Sequence, residues 1–98
     1  MIKTLKQSEI EASLNSLNNG VETQWSITAD KLHCELKFSN FIAAFSFMTK
    51  VAMLAEKANH HPEWSNVYNR VTIDLVTHEA GGITEKDFDL ANAISKIA

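Results

Sequence analysis

The chain has 98 residues, 45% of them hydrophobic, and a net charge of −3. That supplies one core in a single domain, 1–98, with much surface left exposed, a deficit that small domains often make good by oligomerising. The acidic balance excludes the basic stripe of a nucleic-acid binder, no stretch reaches membrane-spanning length, and the start MIKTLKQSEIEASL lacks the apolar run of a signal peptide, so a cytoplasmic protein is expected.

In chain order, Ser8 with Glu11 forms a capping-box pattern that opens a first helix, with Ile10, Leu14 and Leu17 as its apolar stripe and Gly20 at its stop. Trp25, Ile27 and Ala29 then alternate with polar residues. After a turn near Asp30, so do Leu32, Cys34, Leu36 and Phe38. This period of two predicts a hairpin of half-buried strands. Cys34 falls on its apolar side and reads as an inert thiol, whereas His33 points to the polar side with no catalytic role. Ser39 or Asn40 caps a long helix running to about Ala58. Its two apolar stripes are Phe41, Phe45, Met48, Ala52, Ala55 and Phe47, Val51, Leu54, Ala58. Together they cover roughly half the circumference, more than packing on one sheet requires; either the domain wraps the helix on two sides with its own elements or, the reading favoured here, the helix contacts another subunit. Strands over Trp64–Tyr68 and Val71–Thr77, joined at Asn69-Arg70, follow. A last helix opens at Thr84 and Asp87, with Phe88, Leu90, Ala91, Ile94 and Ile97 inward. The order α-β-β-α-β-β-α predicts an α+β fold, a four-stranded antiparallel sheet with three helices on one face.

Three of the four histidines, His60, His61 and His78, lie between residues 56 and 87. Pro62 disfavours helical dihedrals at His61, so the long helix ends near His60 and the two neighbours leave the backbone in different directions. Glu56 stands one turn before His60, within reach of it, and His78 closes a strand-like run before Gly81-Gly82. If that strand end lies beside the helix C-terminus, three imidazoles surround one cleft able to move protons near neutrality. Plainer readings stand beside this one. A His-Pro pair can be ordinary capping, Asp87 on spacing alone is a cap, Gly81-Gly82 suits a tight turn, and Trp64 and Tyr68 read as sheet aromatics. A metal site on Glu56, His60 and His78 is the weaker alternative, since zinc ligands come at tighter spacing.

The segment AEKANHHPEWSNVYNRVTIDLVTHEAGGITEKDFDLA, with FSNFIAAFSFMTKVAMLAEK before it, closely resembles the pterin-4a-carbinolamine dehydratases. The resemblance rests on E-x-x-x-H-H-P-E-W, Y-N-x-V, T-H-x-x-x-G-[LI]-T and D-x-x-L-A, and leaves only about the first twenty residues unspecific. It implies dehydration of 4a-hydroxytetrahydropterin to quinonoid dihydropterin, recycling the cofactor of aromatic amino-acid hydroxylases. No cofactor or metal is implied, because the pterin is the substrate. It also implies homodimers or tetramers, and animal relatives act as dimerisation cofactors of a homeodomain transcription factor. Carried over, it marks His60, His61 and His78 as essential, and Asn59, His60, His61, Val76, Thr77, His78 and Glu79 as substrate contacts, with Glu56 and Asp87 in support. From this follows the expectation that His60 and His78 are acid and base, His61 orients the pterin and Glu56 tunes His60. Many members have Asp at the position of Asn59 and Arg at that of Lys86. Competing readings are an oligomeric interaction module and a non-catalytic pterin-binding protein serving another pterin pathway.

Overall fold

The computed structural model describes residues 2–98. Helix α1 (Gln7–Asn18) leads to strands β1 (Ser26–Thr28) and β2 (Lys31–Lys37), helix α2 (Phe41–Ala58), strands β3 (Glu63–Val67) and β4 (Arg70–Leu75), a single 3₁₀ turn (His78–Ala80) and helix α3 (Glu85–Ile97). The strands form one antiparallel sheet in the order β1-β2-β4-β3, as the α-β-β-α-β-β-α reading requires. Leu32, Cys34, Val71, Ile73 and Leu75 point from the two central strands into the core, where Leu17, Phe47, Val51, Ala55, Phe88, Leu90, Ala91 and Ile94 meet them from the helices. The alternate residues make an open polar face on which His33 stands opposite Asp74, and Asp74 opposite Glu63.

Several boundaries move by a few residues. The N-cap of helix α1 is Lys6, two residues before Ser8, and Glu9, not Glu11, closes the box by accepting the Lys6 backbone N–H at 2.8 Å. The preceding chain is pinned by the Leu5 N–H to the Ile83 carbonyl at 2.9 Å, a tertiary bond no local pattern reveals. Ala29 does not extend β1. It sits with Asp30 in the hairpin turn at φ 51° and 62°, so only Trp25 of that predicted stripe is buried and Ile27 stays exposed. The β3–β4 turn is Tyr68-Asn69, since Arg70 already pairs with Val67. Tyr68 is therefore an exposed loop residue and not a sheet aromatic, whereas Trp64 packs against the core. Strand β4 stops at Leu75, and His78 opens the 3₁₀ turn instead of ending a strand.

Helix α2 keeps its predicted span, with the Asn40 side chain accepting the Ala43 N–H as its cap. Of the two stripes, the one through Phe47 and Val51 faces the core. The other contributes only Ala55 and part of Met48, and leaves Phe41 and Phe45 exposed beside Ile42 and Met53.

Candidate active site

The end of α2 decides where the paired histidines go. Asn59 adopts the left-handed conformation at φ 51°, ψ 42°. Its N–H bonds the Glu56 carbonyl at 3.2 Å, and the His60 N–H bonds the Ala55 carbonyl at 3.0 Å. This is the Schellman arrangement, for which asparagine is among the few tolerated non-glycine residues, and Pro62 just beyond it prevents the helix from resuming. The reversal folds His60 under the helix, where it is 7% exposed. It sends His61 back over the last turn, its side chain 58% exposed. The two neighbours diverge as the proline implied.

His60 meets a buried polar network built by α3. Its Nε2–H donates to Asp87 Oδ1 at 2.5 Å, while Asp87 Oδ2 accepts the Thr77 hydroxyl and the Thr84 backbone N–H, each at 2.9 Å. Thr77 spends its hydroxyl hydrogen on Asp87, so Thr84 must donate to Thr77 across their 2.7 Å contact, and Thr84 in turn accepts the Lys86 N–H at 3.2 Å. Every proton in the chain thus has a direction, ending on a carboxylate that is 0% exposed. A buried carboxylate is tolerated only when so satisfied. Asp87 is both the cap that spacing suggested and the group that holds His60. Thr77 is also 0% exposed and faces Asp87, which places its side chain beneath the site instead of at its surface.

Glu56 does not reach His60. The left-handed turn at Asn59 moves His60 away, and Glu56 Oε1 instead accepts His61 Nε2–H at 2.8 Å. His78 is anchored by a residue whose role the sequence did not signal: its Nε2–H donates to Glu63 Oε2 at 2.7 Å. Glu63 stands within the H-H-P-E-W run, but only the fold shows that the start of β3 faces the 3₁₀ turn. Glu79 pairs with Lys86 at 3.5 Å, and Val76 is half-buried beside His78. The expected single cleft around all three histidines is not seen: His60 and His78 open on separate cavities, and the three are linked only indirectly. Asp87 joins His60 to Thr77, the neighbour of His78, and His78 bonds Glu63, two residues beyond His61.

One pattern unites them. In each, a carboxylate takes Nε2–H, which fixes the neutral ring as the Nε2–H tautomer and leaves the Nδ1 lone pair without a protein partner among the described residues. No buried side-chain nitrogen or oxygen among them lacks a partner, so Nδ1 of His60 retains an opening to solvent. A cavity of about 400 Å³ between α2 and α3 touches His60 and Lys86, and another of about 240 Å³ touches His78, Val76 and Gly81. His33 is different: Asp74 holds its Nδ1 at 2.7 Å and Glu35 its Nε2 at 3.0 Å, so neither nitrogen is free. Those two carboxylates, Glu35 first, raise its pKa above the ordinary value. It is partly shielded within this cluster and not freely solvated. Burial pushes the Cys34 thiol up to about 12, consistent with an inert core residue. Glu56, His60 and His78 each have separate partners, and no group of three His, Cys, Asp or Glu side chains among the described residues is arranged to hold a metal ion.

The profile of the Pterin 4 alpha carbinolamine dehydratase family matches residues 3–97. A protein of Solibacter usitatus carrying a provisional pterin-4-alpha-carbinolamine dehydratase name is 52% identical over 100% of this chain and 98% of its own length. One from Rhizobium etli, similarly named, is 50% identical over 96% of this chain and 90% of its own. The crystal structure of a transcriptional coactivator/pterin dehydratase from Brucella melitensis superposes with a TM-score of 0.88 at 37% identity, covering 98% of this chain and 99% of that one. By sequence along almost its whole length and by fold, this chain belongs to the pterin 4 alpha carbinolamine dehydratase family.

Proposed function

We propose that residues 1–98 act as one unit that dehydrates 4a-hydroxytetrahydropterin to quinonoid dihydropterin by histidine acid/base catalysis, and so recycles the pterin cofactor of aromatic amino-acid hydroxylases in the cytoplasm. The observation that carries this reading is the shared anchoring of His60, His61 and His78, each held at Nε2 with Nδ1 bare. Loss of water from C4a requires a proton on the departing hydroxyl and removal of one from a ring nitrogen. A protonated and a neutral imidazole perform these tasks without a covalent intermediate, an effect worth ~10²–10⁴-fold. His60 and His78 take the acid and base roles. His61, more loosely placed and paired with Glu56, orients the pterin together with the Asn59, Val76 and Glu79 segments. Asp87 replaces Glu56 as the partner of His60. Purified protein mixed with 4a-hydroxytetrahydropterin should produce dihydropterin faster than the spontaneous reaction, and a rate equal to the spontaneous one contradicts the reading.

The exposed side of α2 supports a second element of the proposal, a homodimer or tetramer. Ile42, Phe45 and Met53 are 71%, 55% and 67% exposed and share one side of the helix with Phe41. No helix among the described residues is long and apolar enough to cross a membrane. An interaction module without turnover would use the same helix surface but would leave the histidine anchoring without purpose.

A further inference from the structure

We infer that Glu63, itself held by Lys31, is a positioning residue for His78, fixing the ring and the tautomer that leaves Nδ1 free. The inference rests on the proposed acid/base role of His78. His78 sits on a three-residue 3₁₀ turn, its side chain 74% exposed, and Glu63 is its only protein partner among the described residues. Without that bond the ring would rotate and exchange tautomers freely. Glu63 is itself unusually constrained for a strand-end carboxylate. It takes His78 on Oε2 and Lys31 on Oε1, the latter at 2.5 Å. Lys31 opens β2 and Glu63 opens β3, with β4 between them, so this ion pair spans the central strand just before the chain turns off to His78. The clamp thus ties both outer neighbours of β4 to the residue that β4 delivers.

The surrounding charges leave this arrangement undisturbed. Asp74 lies opposite Glu63 in the sheet, but its carboxylate is engaged by His33, and Glu79, next to His78, is drawn to Lys86. Lys31 first, and then His78, hold the Glu63 carboxyl below its ordinary range, so it accepts hydrogen bonds throughout the neutral range.

The test compares wild type with Glu63→Gln by ¹⁵N-histidine NMR and by steady-state dehydration of 4a-hydroxytetrahydropterin. In the variant the amide oxygen stays with Lys31 and the amide N–H faces the imidazole, which forces the proton of neutral His78 onto Nδ1. The expected result is Nε2–H in the wild type and Nδ1–H in Glu63→Gln. Alongside it, kcat should fall about 10- to 100-fold, part of the ~10²–10⁴-fold that proton transfer supplies. KM should change less than kcat, since Glu63 is not itself among the expected substrate contacts. Lys31→Met, which loosens Glu63 without removing it, should give mixed tautomers and a smaller loss of kcat, while Lys31→Arg retains both. If Glu63→Gln fails to fold, the Lys31 pair alone is decisive. An unchanged tautomer with unchanged kcat overturns the inference. A wild type without dehydration activity sinks the proposed function instead, and the tautomer comparison then still judges the Glu63–His78 couple.

Discussion

At the scale of single residues, Asp87 does the most. Its two oxygens serve His60, Thr77 and the N-cap of α3 while excluded from solvent. Asp87→Ala should therefore cost about 3 kcal/mol or more in denaturant unfolding, since it leaves three buried donors unpaired at about 1–3 kcal/mol each. Thr84→Ala, which loses the side-chain cap, should cost about 1 kcal/mol. Equal costs for the two would show that the network is not organised around the carboxylate. The open sheet face makes a pH prediction from its own pairs. His33 has a raised pKa, so its stabilising contribution is complete below the ordinary value of 6.5 and fades as pH rises through the raised one. Glu63 has a lowered pKa, so its contribution is present above the ordinary 4.5 and fades as pH falls through the lowered one. This face accordingly contributes most between those two ordinary values. The stability difference between wild type and His33→Gln should shrink from pH 6 to pH 9, and a difference that grows over that range would contradict the pairing.

At the scale of elements, the site depends on how α2 ends. Asn59→Val places a β-branched residue at φ 51°, where the left-handed penalty is about 1–2 kcal/mol. Its melting temperature should fall while Asn59→Gly stays close to wild type; equal behaviour would mean the left-handed cap is not maintained. This end was partly legible in the sequence. Pro62 announced the stop and the divergence of His60 from His61, and of the two cap candidates Ser39 and Asn40 the structure uses Asn40. Which carboxylate each imidazole meets was not legible, because it follows from the Schellman reversal and from tertiary pairing. Counting four residues back from His60 points to Glu56, but the chain has turned over by then and His61 arrives there. Glu63 could not be matched to His78 without the strand order, which sets the start of β3 beside the exit of β4. The start of helix α1 was misplaced by two residues for a related reason: Ser8 and Glu11 form the better local box, but the chain is pinned ahead of Lys6 by the Leu5–Ile83 bond and Glu9 takes the Lys6 N–H.

At the scale of the whole molecule, alternation and helical periodicity were enough for the sheet and its helices, since the core strands bury every second residue. The over-wide apolar arc of α2 was legible too, and part of it faces outward in the single chain. If that surface meets a second copy, light scattering will give a multiple of the 10.9 kDa chain mass, and Phe45→Glu with Met53→Glu will reduce it to one chain. A wild type that scatters as a single chain would contradict the proposed assembly. The most direct measurement of histidine acid/base catalysis is the rate of carbinolamine dehydration by His60→Ala and His78→Ala beside the folded wild type. Each variant should lose ~10²–10⁴-fold of the catalysed rate while retaining its fold. Wild-type rates in either variant would contradict that mechanism.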